Sequence, residues 1–407
     1  MRRRAFCSAV ILTLALCSYS TAAGDDQPLQ RGEHVILFPG YAHPVGDNKW
    51  ELVLQGRVCK GWNPPSFLGS FVKKLTLFMG ENLGARYFTL NLLPSPQGAR
   101  ESGHPAPPKN QPRSEDIPVT AKNFKRSDSG HFTIRHPISE ARLSAWWEDT
   151  GFGYKRVSVG IKESRDPESR NFVYLYPDKG IAIVSDLDDT IKDTHVWSQS
   201  AMVVRTFLPF KRVTGMPELY RYWCLRYHAR FHYVSGTFDQ LSGPMESFLE
   251  NSGFPPGSID TRKVNIRDVP VLPGAPPIKP DFRKIPDPCK YKIDRIRPIL
   301  ADFPNTQFCL VGDAGEGDDK AYLQLHARYH NVRWICIRRL PIEHFREKNI
   351  ALSEKKGPIN LNGTQFILFD GKAHKRFDEV PLPARTLKQI SDEPQGPPDS
   401  LRNIFVR

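Results

Sequence analysis

The sequence predicts an α/β protein in two parts: a smaller, mainly antiparallel β domain, then an open parallel sheet with crossover helices. Three observations carry this. Up to residue 178 the apolar runs are short, rich in strand formers, and mostly bounded by Gly, Pro, Asn or Asp. From residue 180 the period changes, and apolar runs at 181–185, 231–235, 307–311 and 333–337 alternate with helical patterns. The first of these, Ile181-Ala182-Ile183-Val184-Ser185, is an unbroken run that ends in Asp186, Asp188 and Asp189. A strand buried on both faces that delivers acids at its tip describes the ligand-binding end of an open α/β sheet.

In chain order, residues 1–23 read as an export signal. Arg2, Arg3 and Arg4 form a basic start, Ala5–Cys17 an apolar core too short to span a bilayer, and Thr21-Ala22-Ala23 a small-residue cleavage site. Export to the periplasm or the medium is expected, with an uncleaved anchor as the competing reading. Removing the signal leaves Cys59, Cys224, Cys289, Cys309 and Cys336, whose spacing suggests neither a metal site nor a dense disulfide framework. The net charge of +13 falls to +10 without the three leader arginines. That excess favours anionic partners, and a basic charge alone does not say which.

Residues 28–178 form the predicted β domain, with strands at 34–38, 50–56, 131–134, 156–159 and 172–176. Leu68, Phe71, Val72 and Leu75 give one helix over 66–79 the spacing of an amphipathic face. Its Lys73 and Lys74 would suit a membrane surface, but ordinary packing on a sheet accounts for the pattern. Seven prolines without periodicity make 94–118 a loop. The parallel sheet occupies 179–342, with helices at 216–227, 244–251 and 290–303. Residues 343–407 are a charged extension with one strand at 365–369. There are no internal repeats.

The chemistry collects at strand ends. Asp186 and Asp188 are two apart and point to the same side of an extended strand end. Two carboxylates about 4 Å apart repel by roughly 4 kcal/mol at an effective dielectric of 20, so a cation or a proton is expected between them. The run 231–234 ends in Ser235-Gly236-Thr237, a hydroxyl before a flexible turn whose N–H groups can face an anion. The run 307–311 ends in Gly312-Asp313 with Asp318 and Asp319 following. Lys292 falls in the first turn of the 290–303 helix, within reach of the same sheet edge. Each feature alone has a bland reading as a turn residue or a solvated lysine, but their joint placement points to one site for phosphate and its metal.

Asp186-x-Asp188-x-Thr190, Ser235, Lys292 and Gly312-Asp313-x-x-x-x-Asp318 resemble the four motifs of the haloacid dehalogenase superfamily. The flanking text is more specific. Ser185–Lys192, Tyr233-Val234-Ser235 before Gln240-Leu241, Tyr291-Lys292-Ile293, and Asp302-Phe303-Pro304 leading into Val311–Glu316 resemble the catalytic domain of the actin-patch type of phosphatidate phosphatase. The resemblance covers roughly 180–340, and Ile36–Tyr41 is similar to that family's opening strand. Where the family commonly shows Asn-Ser-Pro-Trp after the motif serine, this chain has Gly236-Thr237-Phe238-Asp239.

The resemblance implies a Rossmann-like sheet of haloacid dehalogenase type and a phosphatase using an aspartyl-phosphate intermediate. Asp186 would be the nucleophile and Asp188 the acid and then the base. Mg²⁺ would take oxygens from Asp186, the Asp188 carbonyl and Asp313. Asp318 would be an outer partner of the metal or of Lys292. Ser235 and Lys292, with the Gly236 turn, would orient the phosphoryl oxygens while Thr190 supports the loop. Only 49 residues separate Asp186 from Ser235 and 57 separate Ser235 from Lys292, which leaves little or no room for a cap and suits a bulky or membrane-borne substrate. Phosphatidate at an anionic surface is the expected substrate, with no nucleic acid. The competing readings are a soluble or protein-borne phosphate substrate, and a non-catalytic lipid-binding protein. Oligomeric state is not legible.

Overall fold

Alternating apolar residues from Glu33 onward build a nine-stranded sheet. In chain order it comprises β1 (Glu33–Gly46), β2 (Lys49–Lys60), β3 (Glu81–Asn82), β4 (Phe88–Leu93), β5 (Asp116–Val119), β6 (His131–Ser139), then the short helix α1 (Glu140–Leu143), β7 (Trp147–Asp149), β8 (Lys155–Ile161) and β9 (Arg170–Leu175). The order is β3-β2-β1-β9-β8-β4-β5, with β6 on β2 and β7 on β8. Only the β1–β9 pair is parallel. The computed structural model describes residues 27–60, 81–93, 115–124, 130–193, 211–239, 242–263, 287–315, 317–339, 359–361 and 364–370. The expected export signal, the 66–79 helix and most of the Pro-rich stretch lie outside these residues. The end of that stretch, read as loop, is strand β5. Pro118 is tolerated there because β5 is the edge of the sheet and Pro118 faces outward.

Around β1 and β9 both faces of this sheet are largely buried, and period-two alternation sorts the side chains. Val173 and Leu175 join Val35, Leu37, Leu52, Leu54 and Phe132 in a core internal to the β half. Tyr174 and Tyr176, with Tyr41, Val53 and Tyr154, instead pack with the parallel sheet. The two halves therefore share a core across a tyrosine-rich seam.

The second half runs β10 (Gly180–Ser185), β11 (Lys192–Asp193), β12 (Lys211–Arg212), α2 (Met216–Tyr227), β13 (Arg230–Phe238), α3 (Ser242–Ser252), β14 (Ser258–Arg262), α4 (Pro288–Asp302), β15 (Thr306–Asp313), α5 (Asp318–His326), β16 (Val332–Arg339), β17 (Ile359–Leu361) and β18 (Thr364–Asp370). Strands order as β14-β13-β10-β15-β16-β18-β17, parallel except for the final β17–β18 hairpin. The sheet thus continues past residue 342 into β18. Helix α4 starts two residues earlier than the sequence suggests, because Pro288 at its first position is pre-set for helix. Ile296, Ile299 and Leu300 bury its inner face. Cys309 and Cys336 are buried thiols on adjacent strands, their sulfurs 3.6 Å apart.

One topological fact positions the site. From β10 the chain moves outward through β13 to β14, then returns to β15 on the other side of β10 and moves outward again through β16 to β18. The strand order reverses between β10 and β15, and a crevice opens beyond the carboxyl ends of strands at such a switch point. Among the described residues the structure is a mixed α/β protein with a large, mostly antiparallel sheet and a separate parallel one.

Candidate active site

The end of β10 and the end of β15 deliver their acids side by side. In the parallel register Ser185 pairs with Val311, and the Asp186 N–H continues the ladder to the Val311 carbonyl at 2.8 Å. Asp186, Asp313 and Asp318 are all fully buried, and each offers one carboxylate oxygen within 4.8 Å of the others. Lys292, also buried, places its Nζ 3.3 Å from Asp186 Oδ1 and forms an ion pair with Asp318. It reaches them from the first turns of α4, as its sequence position suggests.

Local geometry fixes the acids. Asp318 opens α5, behind Gly317 in a left-handed conformation (φ 82°). Its Oδ2 accepts the Asp313 N–H at 3.2 Å, and Asp313 Oδ1 accepts the Gly315 N–H at 2.6 Å. Gly312 is required by close approach, since a Cβ there would lie 2.2 Å from Asp318 Oδ2. Thr190 donates to Asp186 Oδ2 at 3.2 Å and so braces the turn that follows β10.

Asp188 is held differently. Its Oδ1 accepts from Lys192 Nζ at 3.1 Å, while its Oδ2 accepts from Ser235 Oγ at 2.9 Å and from the Thr237 hydroxyl. Burial pushes this carboxyl up, but the Lys192 charge and the two hydroxyl donors outweigh burial and hold it below the ordinary range. Ser235-Gly236-Thr237 is not the free turn the sequence suggests. It is the bulged end of β13, where the pairing with β14 jumps from Ser235–Thr261 to Phe238–Arg262. Gly236 lies half-buried within that bulge.

All eight residues singled out in the sequence therefore converge on the end of the sheet. Three more belong with them. Thr237 lies two residues after Ser235, and strand alternation alone would have put both hydroxyls on one side. Lys192 is an opposite charge four residues after Asp188. Arg338 at the end of β16 donates to the Asp189 carbonyl, and its strand register sets it opposite Asp313. Asp189 itself holds a positive φ of 53°, and its N–H donates to the Lys192 carbonyl at 2.8 Å.

The donor set suits a hard divalent cation. Three buried carboxylates gather beside Lys292, with the Arg338 charge acting on Asp313, and buried charge is retained only when compensated. Carboxylate oxygens are the ligands Mg²⁺ prefers. A cation beside acids, a lysine and strand-end hydroxyls defines a class of site that can bind and orient a phosphoryl group.

Residues 181–339 match the family described as phosphatidate phosphatase APP1, catalytic domain. The resemblance to the actin-patch type of phosphatidate phosphatase is thereby borne out over the parallel sheet. Phosphatidate phosphatase APP1 of Saccharomyces cerevisiae is 29% identical over 180 residues, which cover 43% of this chain and 28% of that protein. The chain thus spans under a third of its relative's length. A solved carbohydrate esterase chain aligns over 91% of this chain and 99% of its own at 9% identity, with a TM-score of 0.20 that supports no common fold.

Proposed function

We propose that this protein is an exported, Mg²⁺-dependent phosphatase of haloacid dehalogenase type that converts phosphatidate to diacylglycerol and phosphate. The observation that carries this reading is the meeting of Asp186, Asp313 and Asp318 with Lys292 at the β10–β15 switch point. The family match over residues 181–339 supports the substrate class. A cation held by Asp186, Asp313 and Asp318 would neutralise charge on the phosphoryl oxygens.

The protein's own groups divide the remaining work. Asp186 attacks phosphorus, the bond to the leaving alcohol breaks, and an aspartyl-phosphate forms. Water then attacks that phosphorus and releases phosphate, regenerating the carboxylate. Lys292 offsets the charge of the buried acids, and Ser235 with Thr237 orients Asp188. In the resting site Asp188 is held as the carboxylate, the form that takes a proton from water in the second step. Its acid role in the first step requires a proton, and an arriving phosphate favours protonation by competing for Lys192 and the hydroxyls. The excess positive charge favours encounter with an anionic lipid surface. Residues 194–210 and 264–286, where a cap would be inserted, lie outside the described residues.

The test is a substrate panel at fixed Mg²⁺. Phosphate release from phosphatidate vesicles should exceed release from a soluble aryl phosphate and from a phosphopeptide. A preference for either soluble compound would sink the lipid assignment and keep the chemistry. Vesicle binding without any phosphate release would favour a lipid-binding protein instead.

A further inference from the structure

Arg57 and His131 are direct cross-strand partners on β2 and β6. Both turn toward one carboxylate of the other half of the molecule. His131 Nε2 lies 2.8 Å from Asp239 Oδ2, and Arg57 Nε lies 3.4 Å from the same oxygen. The side chains of Arg57 and Asp239 are fully buried and that of His131 nearly so. Replacing a buried ion pair with apolar packing is often neutral or stabilising, so its presence calls for a geometric explanation.

That explanation lies next to Asp239. It directly follows β13, within the Gly236-Thr237-Phe238-Asp239 stretch where this chain departs from the family pattern. Two residues before it, the Thr237 hydroxyl donates to Asp188, and the Thr237 N–H donates to Ser235 Oγ at 3.0 Å. A strand end that bulges has lost part of its ladder and needs another anchor. Here the anchor comes from the β domain.

We propose that Asp239 is a positioning residue, through which Arg57 and His131 of the β domain hold the bulged end of β13 so that Ser235 and Thr237 keep Asp188 in place. The β domain is then part of the catalytic apparatus. This inference rests on the phosphatase reading above, and its test separates the two.

The experiment uses the full chain with the isosteric variant Asp239→Asn and, as a control, Tyr41→Phe. Tyr41 donates to Asp302 at 2.6 Å across the same seam, at the far end of α4 from Lys292. Hydrogen exchange over 233–239 is read without substrate, and kcat and KM are read on an aryl phosphate. Asp239→Asn should speed exchange at the β13 end and lower kcat by about 10- to 100-fold, since small displacements of reacting groups have effects of that size. KM should stay within about twofold, because Asp188 acts in the chemical step. Tyr41→Phe should change neither. Should Asp239→Asn not fold, His131→Gln, which retains the Arg57–Asp239 pair, carries the same test. Unchanged exchange and kcat in Asp239→Asn, or an equal fall of kcat in Tyr41→Phe, would overturn the proposal. Faster exchange in a protein whose wild type hydrolyses no phosphate ester would overturn the phosphatase reading and, with it, the catalytic part of this one.

Discussion

Asp186 and Asp313 are 127 residues apart in the chain and bring carboxylate oxygens within 4.8 Å of each other. Adjacent parallel strands and a reversal of strand order produce this contact, and neither acid has a neighbour in sequence that would. Charges so placed repel unless something stands between them. Lys292 and, beside Asp313, Arg338 supply part of the compensating positive charge, and the proposed cation adds to it.

Metal should therefore stabilise the fold as well as activate it. Raising Mg²⁺ to about 100 times its dissociation constant should add about 2.7 kcal/mol, read as a higher thermal midpoint. EDTA should reverse this, and Asp313→Asn should blunt it. A midpoint indifferent to Mg²⁺ in the wild-type chain would contradict the cation site.

Gly312→Ala tests the packing of the acids without touching their chemistry. The added methyl would meet Asp318 Oδ2 at 2.2 Å, pushing that oxygen off the Asp313 N–H and shifting the whole carboxylate, so that its Oδ1 moves off Lys292. Activity should fall by about 100-fold, as for a misplacement of about 1 Å, in a chain that still folds. Circular dichroism alongside the assay checks both halves of the statement.

Lys192→Met removes the charged partner of Asp188 Oδ1. Burial then acts on Asp188 with less opposition, and its carboxyl should rise toward the neutral form. A misprotonated acid–base residue should reduce kcat/KM by about 10²-fold at neutral pH. Wild-type kinetics in this variant would remove Lys192 from the site.

Stability should depend on pH through Glu246, far from the acids in sequence. Burial pushes its carboxyl up to about 7, opposed by the hydrogen bond from Asn171 across the seam and aided by Glu250. A folded value above the unfolded 4.5 means the contribution is present below the unfolded value and lost as pH rises through about 7. Thermal midpoints of the wild type should fall over that window, by at most about 3 kcal/mol in stability, while those of Glu246→Gln should not. Parallel pH profiles would refute it.

Much of this was legible before any coordinates. Apolar period and strand-end punctuation placed β10, β13, β15 and β16, because buried parallel strands must read as continuous apolar runs. The motif residues sat at their ends. Thr237 was legible from strand alternation but hidden by the expectation of a turn, since a bulge leaves no clear mark in composition. The Arg57–His131–Asp239 contact was not legible at all. It depends on the register between β2 and β6 and on how the two sheets pack, and a lone Arg, His or Asp in a strand context carries no sign of a partner more than a hundred residues away.

The central claim is that the clustered acids perform phosphoryl transfer, and the most direct measurement is phosphate release from phosphatidate vesicles by the wild type and by Asp186→Asn. Mg²⁺-dependent release that EDTA abolishes is expected, with a loss of roughly 10⁴-fold or more when the proposed nucleophile is removed. Release that persists in Asp186→Asn, or that is unaffected by EDTA, would contradict it.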